Sequence, residues 1–263
     1  MAEELVARED AGGIATLTLD DPGRLNALSV AMLAALEDRL DALARDRSVR
    51  VVVLRGAGRA FCAGHDLREM AAARTDPDGG RAFYKALFDR CSRVMTALPR
   101  LPQPVIAQAH GVAVAAGCQL VAACDMAVAA EGTRFGVNGV NIGLFCSTPM
   151  VALTRAVPRK AAFEMLTTGR LIEAEEARAL GLVNRIAPAE GLAAATRDLA
   201  ETVAAKLGAA VAIGKGAFYD QAELGLEAAY ALAGEAMVTN MLDADTAEGV
   251  CAFVEKRKPA WAD

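Results

Sequence analysis

Residues 105–130, VIAQAHGVAVAAGCQLVAACDMAVAA, contain a complete strand, turn, helix and strand and so decide the fold class. The short apolar runs Val105–Ala107 and Met126–Ala129 are typical of strands that are covered on both faces. The apolar segment around Ala115–Cys124, which lies between them, predicts a short helix. Strand and helix alternate within one short segment, which indicates an α/β protein.

The sequence before this segment repeats the alternation. Leu5–Arg8 and Ile14–Leu19 predict the two strands of a hairpin, and Val51–Leu54 predicts another buried strand. Ser29 is expected to cap a helix that extends to about residue 46, because leucines follow it at helical spacing.

From residue 81 onwards, the chain outside residues 105–130 is mainly helical. Arg81–Leu98 predicts a helix ended by Pro99, and several helices are expected before a last strand at Leu182–Ile186. From Leu192 onwards only helical patterns follow. These helices are too few to bury their apolar faces against one another. This tail is therefore expected to dock against another subunit.

Charge and composition favour a small-molecule partner. The chain has 263 residues and a formal net charge of −5, without a long basic run, which argues against a nucleic-acid surface. The longest apolar stretch, Gly111–Ala130, is interrupted by Gly117, Gln119 and Asp125, which argues against a membrane span. The six cysteines form no CxxC pair, so no metal site is expected. The first ten residues, MAEELVARED, show no targeting pattern, so a cytoplasmic location is expected.

Two glycine-containing segments carry the candidate chemistry, FCAGHDLREM at 61–70 and HGVAVAAGCQL at 110–120. Neither matches a phosphate-binding loop. Small residues in such turns leave backbone N–H groups unobstructed, and two N–H groups converging at a helix N-terminus would stabilise an oxyanion. Ordinary close packing of the turns is the alternative.

These segments, together with Asn26-Ala27-Leu28-Ser29 and Phe253–Pro259, resemble the enoyl-CoA hydratase/isomerase, or crotonase, superfamily over essentially the whole chain. The resemblance implies an α/β, crotonase-type spiral of repeated ββα units that binds acyl-CoA, here residues 1–195. It also implies a C-terminal helical trimerisation domain, here residues 196–263. Homotrimers, often paired into hexamers, are expected.

The resemblance also assigns site residues. The oxyanion-hole N–H groups fall on His65 and Ala116, the latter in place of a common glycine. An acyl-CoA thioester is expected as substrate or ligand, with no other cofactor. The positions that match the CoA path are Arg24, Asn26, Ala27, Ala63, Asp66 and Arg68.

The two glutamates that position water in hydratases of this superfamily correspond to Gln119 and Gly139. An amide cannot act as a base near neutral pH, and glycine has no side chain, so efficient hydration is expected to fail. On this view, glutamate at both positions should raise crotonyl-CoA hydration.

Residues 135–149, with Gln119, most resemble the branch called enoyl-CoA hydratase domain-containing protein 3. In aroyl-CoA dehalogenase relatives a nucleophilic carboxylate comes from roughly the position of Ser147. Nucleophilic Ser147 or Cys146 is one hypothesis, and a helix-capping Ser147 with a packed Cys146 is the other. The His65 imidazole could exchange a proton with substrate or simply line the pocket.

Three functions remain open at this stage. The first is an acyl-CoA enzyme that stabilises a thioester enolate. The second is a non-catalytic protein that binds or senses acyl-CoA. The third is a trimeric assembly module with a vestigial pocket. Turnover, binding without turnover, and no CoA binding distinguish the three.

Overall fold

A computed structural model describes residues 4–261. Strands and helices alternate through the first two thirds of this range, and helices alone fill the rest. The strands are β1 (Val6–Ala11), β2 (Ile14–Leu19), β3 (Val51–Gly56), β4 (Val105–Ala109), β5 (Val112–Val114), β6 (Met126–Ala130), β7 (Arg134–Gly136), β8 (Ile172–Glu173) and β9 (Arg185–Ala187).

The helices are α1 (Val30–Leu43), α2 (Leu67–Ala73), α3 (Arg81–Arg100), α4 (Ala116–Ala123), α5 (Pro149–Ala156), α6 (Arg159–Thr168), α7 (Ala174–Ala179), α8 (Leu192–Ala204), α9 (Gly208–Gln221), α10 (Leu226–Met241) and α11 (Ala244–Val254). Short 3-10 helices cover Pro22–Arg24, Asn138–Ile142 and Ala189–Gly191.

The strands form two sheets, and the chain passes between them from β4 onwards. The larger sheet has the order β1-β2-β3-β4-β6-β9, with β1 and β2 antiparallel and the later pairs parallel. The smaller sheet has the order β5-β7-β8, in which β5 and β7 are parallel. One or two strands are followed by one or more helices throughout this part of the chain. The α/β, crotonase-type fold expected from the sequence is confirmed.

Alternate residues of β3 face two different apolar layers. Val52 and Leu54 join the main core, in which the leucines of α1 are buried. Val51 and Val53 face the opposite way and pack in a second cluster with Leu199 of α8. A strand covered on both faces explains the continuous apolar run that predicted β3. Ser29 caps α1 as expected, accepting a hydrogen bond from the N–H of Met32 over 3.1 Å.

Three details differ from the sequence-based expectations. Helix α3 continues through Pro99 to Arg100, because a proline in the last turn removes only one intrahelical hydrogen bond. The last strand is Arg185–Ala187, and Leu182 and Val183, expected within it, are buried in the connecting loop instead. The short strands of the smaller sheet were not predicted, because two or three residues carry no readable alternation.

The proposed boundary between residues 195 and 196 falls inside α8. Both ends of this helix pack on the larger sheet, through Leu192, Leu199 and Ala200. The division into an acyl-CoA-binding core and an oligomerisation domain stays a prediction.

No helix within residues 4–261 is long and apolar enough to cross a membrane. The same part of the chain contains no cluster of three or more His, Cys, Asp or Glu side chains that could hold a metal ion.

A buried ion pair ties α9 to the core. Lys215 donates to Oδ2 of Asp125 over 2.7 Å and to two backbone carbonyls over 2.9 Å each. Tyr219 donates to Oδ1 of the same carboxylate over 2.7 Å. Burial lowers the pKa of Lys215 against the attraction of Asp125, so desolvation is the larger effect on this group. The pair therefore fixes the position of α9 more than it stabilises the fold.

We predict that Asp125→Ala lowers the free energy of unfolding by about 3–5 kcal/mol, because it leaves a buried ammonium group unpaired. Asp125→Ala/Lys215→Met should recover much of this loss, since no charge then remains buried. Urea denaturation measures both, with the exposed Asp38→Ala as control. A loss no larger than that of the control would contradict the role given to this pair.

Candidate functional site

Two glycine-containing turns lie side by side at the centre of the site. The N–H of Cys62 donates to the carbonyl of Val112 over 3.2 Å, and the N–H of Val114 donates back to the carbonyl of Cys62 over 3.1 Å. On the other side, the N–H of Leu28 donates to the carbonyl of Gly64 over 2.7 Å. The first turn is therefore held between β5 and the start of α1.

Glycine is required where the two turns touch. A Cβ atom at Gly117 would lie 2.2 Å from the carbonyl oxygen of Cys62, and one at Gly64 would lie 2.9 Å from Cβ of Ala115. Ala115 has φ 50° and ψ −119°. This conformation costs a residue other than glycine about 1–3 kcal/mol. The strained backbone at Ala115 leads directly into Ala116, the first residue of α4.

The backbone N–H groups of His65 and Ala116 are available to a ligand. Both residues line the same cavity. In the described part of the chain, neither N–H takes part in a backbone hydrogen bond outside the regular elements. The N–H of Ala116 also lies at the positive end of the α4 dipole. Such an arrangement can bind an oxygen atom that carries negative charge.

The cavity has a volume of about 370 Å³ and mainly apolar walls. An adjoining cavity of about 360 Å³ shares much of its lining, so the apolar space continues beyond the first cavity. Among the described residues that line the main cavity, none is Asp, Glu, Lys or Arg. The side chains common to both cavities are Leu67, Met70, Phe88, Ile142 and Leu144.

His65 is the one histidine among the described residues that line the cavity. Its Nδ1 lies 3.2 Å from the carbonyl oxygen of Leu28, and its ring makes an edge contact with Phe88 at 5.6 Å between centroids. Burial lowers the pKa of this imidazole, which the hydrogen bond to Leu28 only partly offsets. His110, the other histidine, is hydrogen-bonded to the carbonyl of Gly58 over 2.9 Å and does not line the cavity.

Cys146 and Ser147 both line the cavity, and their nucleophilic role stays a prediction. Burial raises the pKa of the Cys146 thiol, so it is protonated near neutral pH. The hydroxyl of Ser147 contacts the carbonyl of Phe145 at 3.5 Å, and the structure shows no base beside it in the described chain. The alternative role of Ser147 as helix cap is wrong, because the N-cap position of α5 is Thr148.

Gln119 and Gly139 take different places around the cavity. Gln119 is buried in α4 outside the cavity lining, and its Oε1 has no hydrogen-bond partner. Gly139 lines the cavity, and a Cβ atom there would lie 2.3 Å from the carbonyl oxygen of Leu144 and 2.9 Å from Sγ of Cys146. The backbone at Leu144 and the side chain of Cys146 therefore occupy the space that a side chain at position 139 would need. Our expectation that glutamates at both positions would raise hydration is therefore corrected, because a glutamate at 139 would have to displace backbone.

The residues expected along a CoA path lie on one side of the first turn, but only Ala63 lines the cavity. Arg24 is exposed, and its Nη1 lies 3.3 Å from Oδ2 of Asp66. Oδ1 of Asp66 caps α2 by accepting a hydrogen bond from the N–H of Arg68 over 2.8 Å. The Arg68 side chain is exposed, and Ala27 is buried.

Asn26 has a structural role that the sequence did not indicate. Its side chain is buried, and Nδ2 donates to the carbonyls of Ala57 and Ala60 over 2.9 and 2.8 Å. Its Oδ1 accepts from the N–H of Asp21 over 3.0 Å. Asn26 therefore fastens the loop before the first turn and is not available to CoA.

Sequence reasoning missed most of the cavity wall. Leu67 and Met70 of α2 and Phe88 of α3 are ordinary apolar residues in helical patterns, and only the fold brings them together. Asn138 also lines the cavity, and the structure shows no side-chain hydrogen bond for it within the described residues.

The chain is similar in sequence and in structure to several known proteins. The family described as enoyl-CoA hydratase/isomerase matches residues 9–263. Enoyl-CoA hydratase domain-containing protein 3, mitochondrial, from Mus musculus is 44% identical over 98% of this chain and 84% of its own length. A crystal structure of enoyl-CoA hydratase from Mycobacterium smegmatis is 54% identical with a TM-score of 0.95, covering 99% of this chain and 100% of its own. The human enoyl-CoA hydratase domain-containing protein 3 structure is 42% identical with a TM-score of 0.93, covering 98% and 100%.

The predicted cytoplasmic location is corrected by these relatives. The similar proteins from Mus musculus, Rattus norvegicus, Xenopus laevis, Homo sapiens and Danio rerio are all named mitochondrial. The prediction rested on ten residues without a targeting pattern, and such a short segment does not establish a compartment.

We predict that Gly139→Glu lowers the free energy of unfolding by about 1–3 kcal/mol, the usual cost of forcing extra atoms into a packed site. It should give no gain in crotonyl-CoA hydration, alone or with Gln119→Glu. Thermal unfolding and loss of enoyl absorbance measure the two effects. Asn138→Glu is the matched control for stability, because it adds a carboxylate at the neighbouring, half-buried position that lines the cavity. Parent-like stability with faster hydration in Gly139→Glu would contradict this account of the loop.

Proposed function

Because this chain belongs to the enoyl-CoA hydratase/isomerase family, we propose that it binds an acyl-CoA thioester and stabilises negative charge on the thioester oxygen. The observation that carries this proposal is the position of two N–H groups, from His65 and Ala116, on one apolar cavity, where neither has a hydrogen-bond partner among the described residues. A CoA thioester is the only ligand proposed, and the site needs no further cofactor.

The two N–H groups would act on the thioester carbonyl as charge develops there. Removing an α-proton from an acyl thioester moves electrons onto the carbonyl oxygen and gives an enolate. Fixed backbone donors in an apolar site stabilise that oxygen strongly, and one such donor contributes about a hundredfold to a thousandfold in rate. A backbone N–H donor is retained when the side chain is replaced. This is consistent with alanine at position 116, where glycine is common in the superfamily.

The acyl group is proposed to be apolar. The walls that continue from the main cavity into the adjoining one consist mainly of leucine, methionine, phenylalanine and isoleucine side chains. A charged acyl group would find no partner in the described lining of the main cavity, and burying an unpaired charge is costly. The CoA end would lie near Arg24 and Arg68, whose exposed guanidinium groups suit phosphate binding.

The hydratase reaction itself is not proposed, because the described lining of the main cavity contains no carboxylate that could activate water. The same observation favours a second candidate function, a non-catalytic protein that binds or senses acyl-CoA. Isomerisation, thioester hydrolysis and other enolate-forming reactions share the proposed oxyanion site and remain within the first candidate.

A homotrimer or a dimer of trimers is also proposed. The last three helices expose many large apolar side chains, among them Leu226 at 75%, Leu242 at 81% and Phe253 at 85% exposure. Exposed apolar surface on this scale is typical of subunit interfaces. A second copy of the chain is the proposed partner because these helices bury little of their apolar surface within one chain. In a trimer, each interface would join two different surfaces of neighbouring copies and close into a ring.

We predict that calorimetry shows binding of octanoyl-CoA that is tighter than that of acetyl-CoA. Each methylene buried in the apolar cavity should contribute about fourfold in affinity. Leu144→Asp should abolish this chain-length preference while acetyl-CoA still binds, and Leu144→Met is the matched control that should retain it. Equal affinities for both thioesters in the parent would contradict an apolar acyl site, and no binding of either would leave only an assembly role.

Light scattering of the purified protein should give three or six times the monomer mass of 27.3 kDa. The apolar faces of the last helices require a partner, so a monomer at micromolar concentration would contradict the proposed assembly.

A further inference from the structure

One face of α2 forms a wall of both cavities. Leu67 and Met70 line the main cavity and the adjoining one, and Ala71 and Arg74 line the adjoining one. The spacing i, i+3, i+4 and i+7 places these four residues on the same side of a helix. Arg74 is the C-cap residue of α2 and keeps helical backbone angles, with φ −63° and ψ −20°. The arginine therefore extends the same wall by one turn beyond Met70.

Arg74 is the one charged residue in the described lining of the two cavities. The main cavity has no Asp, Glu, Lys or Arg in its described lining, and the adjoining cavity has Arg74 alone. The hydroxyl of Tyr84, which also lines the adjoining cavity, already donates to the carbonyl of Met70 over 2.8 Å. A mainly apolar passage thus extends from the cavity of the two N–H groups to a single positive charge.

The guanidinium group of Arg74 is free to bind a ligand. Within the described residues it forms no ion pair and no side-chain hydrogen bond. Two carboxylates of the same segment are engaged elsewhere, since Glu69 accepts from a backbone N–H of α1 over 2.9 Å and Asp78 accepts from the N–H of Gly80 over 2.9 Å. Asp76 lies outside the described lining of both cavities. The Arg74 side chain is exposed, so its guanidinium can turn towards a ligand in the adjoining cavity.

The length of α2 relates the two ends of this passage. His65 precedes the helix, and seven residue steps of about 1.5 Å separate Leu67 from Arg74, which gives about 10 Å. An extended hydrocarbon chain advances about 1.3 Å per carbon, because its C–C bonds are about 1.5 Å long. A chain of about eight carbons therefore reaches from the start of α2 to the level of Arg74.

We propose that the acyl chain bound in this site ends in a carboxylate, which pairs with Arg74. The substrate class is then the CoA thioester of a dicarboxylic acid with one free carboxyl group. The inference rests on the proposed function, since the N–H groups of His65 and Ala116 must hold the thioester end. The methylene groups pack against the apolar walls, and the charge lies outside the main cavity, at a position that water reaches. The planar guanidinium offers paired N–H donors that match the two oxygens of a carboxylate.

The test compares octanoyl-CoA with octanedioyl-CoA, which carries a free carboxylate at the far end, by calorimetry. Arg74→Gln should weaken octanedioyl-CoA binding by about tenfold, the low end of the effect of hydrogen bonds to a charged group. Octanoyl-CoA should bind within twofold of the parent, because it has no carboxylate to lose its partner. Arg81→Gln is the matched control, since this exposed arginine at the start of α3 lines neither cavity, and it should bind both thioesters like the parent.

Reversal of the charge gives a test that depends on a gain of binding. Arg74→Glu should bind 8-aminooctanoyl-CoA about tenfold more tightly than the parent does, because the terminal ammonium then meets an opposite charge. Both charge effects should decrease when the salt concentration rises from about 0.1 M to about 1 M, since the Debye length falls from about 10 Å to about 3 Å.

The outcomes separate this inference from the proposed function. Unchanged binding of octanedioyl-CoA in Arg74→Gln, or an equal loss of both thioesters, would overturn the role of Arg74. Binding of octanoyl-CoA by the parent in the same experiment would leave the thioester site standing. Failure of the parent to bind either thioester would overturn the proposed function itself.

Discussion

The close contact between the turns at Cys62–Gly64 and Ala115–Gly117 is the constraint on which the site depends. A side chain at Gly117 would meet the carbonyl of Cys62 at 2.2 Å, so the two turns can approach only through glycine. Their approach places the N–H groups of residues 65 and 116 on one cavity. It also places the residue after Gly64 at the cavity wall, and in this chain that residue is histidine.

The strain at Ala115 is consistent with the same constraint. A residue with Cβ holds φ 50° there because hydrogen bonds and packing on both sides fix the turn. The outer parts of the fold serve to support this centre. The side chain of Asn26 holds the loop before the first turn, and α4 supplies the dipole at the second.

The sequence predicted the parts of the fold whose residues carry their own signal. The hairpin, the cap at Ser29 and the buried strands follow from alternation, hydrogen-bonding side chains and apolar runs, and the structure contains all of them. The turns of the site were found because glycines and small residues mark them. The apolar wall was not found, because Met70 and Phe88 differ from core residues only in what lies opposite them. The closed loop at Gly139 was missed for a similar reason, since sequence shows a missing side chain but not the backbone that fills its place.

The described lining of the cavity provides two backbone N–H donors and no carboxylate. Stabilisation of an oxyanion and transfer of a proton, which usually occur together in thioester chemistry, therefore depend on different groups in this site. Stabilising an oxyanion needs only the turns, whereas moving a proton needs a base of suitable pKa. The oxyanion site of this protein is proposed to be intact. The most direct measurement is the infrared carbonyl stretch of octanoyl-CoA labelled with carbon-13 at the thioester carbonyl, free and bound to the protein. Two N–H donors polarise the C=O bond, so the account predicts a lower stretching frequency in the bound state. An unchanged frequency in a saturated complex would show that the carbonyl does not lie between the two N–H groups, and would contradict the account.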